Sequence, residues 1–119
     1  MLQVYIRKGC ITCKRALDYL GERRVEFKTV DFFKQPLAKS EIRALLKQAG
    51  MSPKQAIRKK DKMFKQLGLD TKEVSDEEWL SLMEKYPGLI LRPIVISGDR
   101  AIIATRPEML EALIKFTPH

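Results

Sequence analysis

The chain has 119 residues and a mass of 13.8 kDa, enough for one domain with a core of its own. Hydrophobic residues make up 45% and charged residues 32%, a balance that excludes disordered and fibrous classes. Lys and Arg outnumber Asp and Glu 23 to 15, and the net charge of +8 favours anionic partners: nucleic acid, an acidic protein surface or a small oxyanion.

Aromatic residues are 8% and do not interleave with the basic ones, so direct nucleic-acid binding through stacked bases is not expected. No apolar run approaches the roughly 20 residues of a membrane span. The start, Met1-Leu2-Gln3-Val4-Tyr5-Ile6-Arg7-Lys8, lacks the layout of a signal peptide. A soluble, cytoplasmic monomer is expected.

Gln3-Val4-Tyr5-Ile6 reads as a short strand, followed by the polar turn Arg7-Lys8-Gly9. Cys13, Ala16, Leu17 and Leu20 then recur at helical spacing, and Gly21 stands where that helix should stop. Val25 to Val30 alternates apolar and polar, the period of a half-buried strand. A right-handed crossover makes the two strands parallel.

Helices fill the middle. Ile42, Leu45, Leu46 and Ala49 form a stripe ending at Gly50, and Ser52-Pro53 reads as a cap opening a helix over 53–67, with Ile57, Phe64 and Leu67 inward. Ser75-Asp76-Glu77-Glu78 is a capping box before Trp79, Leu82, Met83 and Tyr86, and Pro87-Gly88 closes that helix.

The end returns to sheet. Leu89 to Ile96 is an apolar run interrupted by Arg92-Pro93, and Ala101 to Ala104 is a second; Ser97-Gly98-Asp99 joins them as a hairpin. Thr105-Arg106-Pro107-Glu108 opens a last helix with Leu110, Leu113 and Ile114 inward. This order predicts one thioredoxin-like, glutaredoxin-type α/β domain over 1–119. Its mixed sheet takes a helical insertion, at about 38–87, between a βαβ half and a ββα half.

Cys10-Ile11-Thr12-Cys13 is the most informative feature. A cysteine at a helix N-terminus faces unpaired N–H groups and the positive end of the dipole, which favour the nucleophilic thiolate. Arg7, Lys8, Lys14 and Arg15 add positive charge nearby. Cys13, one turn inward, is placed to attack a mixed disulfide at Cys10, so Cys10 is assigned as nucleophile and Cys13 as resolving thiol. Two inert buried thiols are the plainer alternative. Zinc needs about four ligands and the chain adds only His119 to the thiols, so no metal is expected. A structural disulfide is unusual in a cytoplasmic protein.

Proline inside an apolar strand removes a ladder donor and needs a reason. Thioredoxin-like folds place a cis-proline at this strand start, so Pro93 is expected to be cis and to bring Arg92 alongside Cys10, where its guanidinium can pair with a thiolate or an oxyanion. Arg58 and Arg106 read singly as solvated charges; with Arg92 they form a candidate oxyanion-binding set.

These residues carry a family resemblance over essentially the whole chain. Val4-Tyr5 leading to Cys10, Lys14-Arg15-Ala16, Ala56-Ile57-Arg58-Lys59-Lys60, Phe64 to Leu69, Tyr86 to Ile96 and Arg106-Pro107-Glu108 resemble the glutaredoxin-coupled arsenate reductases and the related Spx-type regulators. The reductase resemblance implies a Cys10 thiolate that attacks arsenate or a related oxyanion or disulfide, with Arg58, Arg92 and Arg106 holding the anion. It implies no bound cofactor, and glutathione and glutaredoxin as electron donors. The lead-in Ile6-Arg7-Lys8-Gly9 departs from the reductases' His-Asn-Pro type, and their usual histidine position is Ile6 here. The second cysteine instead matches the regulators, which implies a Cys10–Cys13 disulfide switch and binding to the C-terminal domain of the RNA polymerase α subunit.

Overall fold

In a computed structural model that describes residues 1–115, four strands, β1 (Leu2–Ile6), β2 (Phe27–Asp31), β3 (Ile94–Ser97) and β4 (Arg100–Ile103), form a mixed sheet in the order β2-β1-β3-β4. The chain divides into two compact units. The first joins Met1–Gln35 to the chain from Arg92 onward, and the second is Pro36–Leu91. His119, weighed above as a metal ligand, lies outside the described residues.

The first unit holds the whole sheet. β1 (Leu2–Ile6) runs parallel to β2 (Phe27–Asp31), with Leu2 opposite Phe27 and Ile6 opposite Asp31. Between them lies α1 (Ile11–Glu22), the crossover that a parallel pair requires. β3 (Ile94–Ser97) pairs antiparallel with β1, Tyr5 opposite Ile94, and turns through Gly98 into β4 (Arg100–Ile103). Leu2, Val4, Ala16, Leu20, Val25, Val95, Leu110 and Leu113 meet in one buried cluster, which joins the sheet to α1 and the final turns. Apolar residues alternating along β1 and recurring every three to four along α1 make this packing possible.

α1 continues through Gly21 to Glu22, one residue past the expected stop, with Arg23 as its C-cap. The final segment is a 3-10 turn (Pro107–Leu110) leading into one turn of α-helix (Glu111–Ile114) rather than a single helix. Arg23 and the Tyr19 hydroxyl both donate to the Glu111 carboxylate, tying α1 to that segment.

In the second unit α2 (Lys39–Ala49) packs on α4 (Asp76–Lys85). Ile42, Leu45 and Leu46 are buried on one helix and Trp79, Leu80 and Met83 on the other. Gly50 closes α2 at φ 66°, a left-handed cap that glycine adopts without strain. The Ser75 hydroxyl accepts from the Glu78 amide at 3.2 Å, the cap that the sequence pattern anticipates.

The segment 53–67 differs from the expected helix. Only a 3-10 turn (Lys54–Ala56) and the five-residue α3 (Lys62–Gln66) are helical. Between them Ile57 forms a β-bridge with Ile90, the Arg58 amide donates to the Leu89 carbonyl at 2.7 Å, and the Leu91 amide donates to Ala56 at 2.9 Å. Backbone pairing to 89–91 outcompetes the helix here. The same pairing takes Leu89 and Ile90 out of the expected strand, so β3 starts only at Ile94.

Candidate functional site

The C-terminal end of β1 feeds a tight turn in which the Cys10 amide donates to the Arg7 carbonyl at 3.2 Å. Gly9 sits at φ 86°, a left-handed conformation that a side chain would strain. Cys10 thereby becomes the N-cap of α1. Its sulfur accepts from the Cys13 amide at 3.4 Å, and its carbonyl accepts from the Lys14 amide at 3.0 Å. A sulfur capping a helix start meets donors that stabilise negative charge.

The two thiols, both reduced, differ in setting. Cys10 is partly exposed and Cys13 is 2% exposed. Partial burial works against charge on Cys10, but the Cys13 amide and thiol and the Arg92 guanidinium together hold its thiol below the ordinary value. Burial pushes the Cys13 thiol up to about 12, with the neighbouring Cys10 adding to the rise.

Among the described residues Arg92 is a buried charged side chain, at 5% exposure. The Arg92–Pro93 peptide is cis, Pro93 is buried, and its carbonyl accepts from the Ala104 amide at 2.9 Å. The β1–β3 pairing, with Tyr5 opposite Ile94, continues toward Arg7 and Arg92, and the guanidinium lies within hydrogen-bonding reach of the Cys10 sulfur.

Arg106 caps the 3-10 turn that follows β4. The β3–β4 register carries Thr105 and Arg106 back toward the start of β3. Its side chain is 73% exposed, 3.9 Å from Glu108. Arg58 belongs to the second unit, where its side chain lies 3.8 Å from Asp61. Thus Cys10, Cys13 and Arg92 form one contiguous group in the first unit, and Arg106 approaches along the strand register. Among the described residues there is no cluster of three or more His, Cys, Asp or Glu fit to hold a metal, and no helix long and apolar enough to cross a membrane.

The sequence reading passed over one residue of this region. Phe33 follows β2, and its ring lies 4.4 Å from the Arg7 guanidinium and 5.7 Å from that of Arg92. A Phe-Phe pair after a strand reads as core, and only the parallel β1–β2 pairing reveals that both strands deliver their ends to the same place.

A mixed sheet of this order, with a cysteine pair opening the first helix and a cis-proline before β3, defines a thioredoxin-like α/β protein with a paired-thiol site. The chain belongs to the ArsC family, whose model matches residues 5–113. It is 35% identical over 94 residues to an arsenate reductase of Rhizobium meliloti, covering 79% of this chain and 67% of that one. It is 32% identical over 100 residues to the global transcriptional regulator Spx of Enterococcus faecalis, covering 84% of this chain and 76% of the regulator. An arsenate reductase structure from Vibrio cholerae shares the fold with a TM-score of 0.86 at 23% identity, covering 93% of this chain and 95% of that one.

Proposed function

We propose that the protein is a thiol-dependent reductase of the arsenate reductase type, acting on arsenate or a related oxyanion through the Cys10 thiolate. The observation that carries this reading is the placement of the Cys10 sulfur, capping α1 and within reach of the buried Arg92 guanidinium. A thiolate and an oxyanion repel each other, and a fixed guanidinium offsets that repulsion at the point of attack. Arg106 and Arg58 are further candidates for the anion clamp on the family resemblance alone.

In the first step the Cys10 sulfur attacks arsenic, a sulfur–arsenic bond forms and one arsenate oxygen leaves as water after taking up protons. A glutathione thiolate then attacks the Cys10 sulfur, giving a Cys10–glutathione disulfide. The electron pair of the broken sulfur–arsenic bond stays on arsenic, which departs as arsenite. Glutaredoxin returns Cys10 to the thiol. Cys13 offers an internal route: its thiol, giving up its proton, attacks the Cys10 sulfur of the mixed disulfide and expels glutathione, and the Cys10–Cys13 disulfide so formed is then reduced to two thiols by glutaredoxin or two further glutathione molecules. A reaction that runs on free thiols suits a reducing compartment such as the cytoplasm.

The test follows NADPH oxidation with arsenate, glutathione, glutaredoxin and glutathione reductase. Arsenate-dependent turnover in the wild type, abolished in Cys10→Ser, is the expected result; a wild type that turns over neither arsenate nor related oxyanions such as selenate overturns the reading. The Cys10–Cys13 pair and the similarity to Spx favour a second reading, a redox-sensing regulator. It predicts that the polymerase α C-terminal domain is captured by this protein, with capture that differs between the dithiol and disulfide forms.

A further inference from the structure

We propose that Phe33 is a positioning residue for the thiol site: its ring, shared by the guanidinium groups of Arg7 and Arg92, fixes Arg92 beside Cys10. The proposal rests on the reading of Cys10 as the reactive thiol and adds a residue that the anion clamp does not contain.

The ring is itself held firmly. The Asp31 carboxylate accepts from the Phe33 amide at 2.9 Å, and the Asp31 carbonyl accepts from the amides of Lys34 and Gln35 at 3.1 and 2.9 Å, so three hydrogen bonds to Asp31 close the turn after β2. The ring packs on that of Phe32 with centroids 5.1 Å apart and planes tilted by 52°. Phe32 is fully buried, and its amide donates to the Ile6 carbonyl at 3.1 Å. The aromatic pair is thus anchored to the end of β1, the strand that leads to Cys10.

Both guanidinium carbons lie within the ~6 Å over which an aromatic face attracts a cation, and the attraction strengthens where water is excluded. Arg92 is buried and Arg7 is exposed, so the ring has one desolvated cation and one solvated one. The chemistry of the site explains the choice of an aromatic partner. A ring face orients the planar guanidinium and leaves its charge available to Cys10. Phe33 is thereby linked to the thiol through Arg92, whose guanidinium is among the groups that lower the Cys10 pKa.

The experiment measures the rate of iodoacetamide alkylation of Cys10 against pH in the full chain, for wild type, Phe33→Leu and Phe33→Tyr. This readout needs neither arsenate nor glutaredoxin, so it stands whichever function the protein serves. In Phe33→Leu the midpoint is expected to move up by about half a unit, with an alkylation rate at pH values well below the midpoint roughly threefold lower; Phe33→Tyr keeps both at the wild-type values. Trifluorophenylalanine at position 33 keeps the shape of the ring and withdraws charge from its face, which separates this role from packing even where the leucine variant folds poorly. It is expected to shift the midpoint in the same direction as leucine. A midpoint equal to the wild type's in the fluorinated protein overturns the proposal, and so does a tyrosine variant that behaves like leucine.

Discussion

Cys10 and Cys13 are three residues apart, yet the helix start gives them opposite acidities. Burial raises both thiols; at Cys10 the Cys13 amide and thiol and the Arg92 guanidinium outweigh it, whereas at Cys13 burial prevails and carries the thiol to about 12. Iodoacetamide near neutral pH is therefore expected to give one adduct, on Cys10, detected by peptide mass analysis; equal labelling of Cys13 would contradict its burial. Arg92→Ala removes a cation and is expected to raise the midpoint of Cys10 alkylation, and an unmoved midpoint would separate that guanidinium from the thiol. The same acidities set a pH dependence of stability. An unfolded cysteine ionises near 9.0, while folded Cys13 stays protonated to about 12. Its contribution is full below the unfolded value and is lost as pH rises toward the folded one. Cys10 works in the opposite sense: its folded value lies below the unfolded one, so its contribution is full above that unfolded value and fades as pH falls. Between about pH 8 and about pH 10.5, urea unfolding should show the reduced wild type losing more stability than Cys13→Ala; parallel losses would refute the raised thiol.

Among the elements, the link between 56–58 and 89–91 governs how Arg58 is held. The Asp61 carboxylate caps α3 by accepting from the Met63 amide at 2.9 Å, and it also faces the Arg58 guanidinium. A Cβ at Gly88 would collide with that carboxylate, which is short, largely buried and already bonded. Gly88→Ala is accordingly expected to cost about 1–3 kcal/mol, read as a lower urea midpoint. In an Asp61→Ala background the same change should cost much less, and an identical cost would place the strain elsewhere. This link was hidden in the sequence because its partners are more than thirty residues apart. Ile57 and Phe64 lie at helical spacing, so a β-bridge and a turn between them leave the same apolar pattern as a helix. Features written locally were legible: the strand-turn-helix that presents Cys10, the Ser75 cap and the Ser97-Gly98-Asp99 hairpin turn. Phe33 was not, since its meaning comes from Arg7 and Arg92, which the sheet order brings to it from distant positions in the chain.

For the molecule as a whole, a net charge of +8 creates a field that draws anions and is indifferent to neutral substrates. The cations near the site divide by exposure. Lys8, Arg15 and Arg106 are exposed and screened by salt, whereas Arg92 is buried and largely shielded from it. Raising ionic strength from about 0.01 M to about 0.1 M shortens the screening length from roughly 30 Å to roughly 10 Å. The exposed set then loses its reach while the Arg92–Cys10 contact persists. For an oxyanion substrate, KM is expected to rise severalfold over that range with kcat nearly constant. A neutral disulfide such as hydroxyethyl disulfide should show neither change. Steady-state kinetics with both substrates at matched salt concentrations decide the matter. If the oxyanion KM does not respond to salt, long-range attraction plays no part in capture, and binding rests on short-range contacts at the site. If the two substrates respond alike, salt is acting on the thiol or on the fold, and the surplus of positive charge serves some purpose other than drawing anions to Cys10.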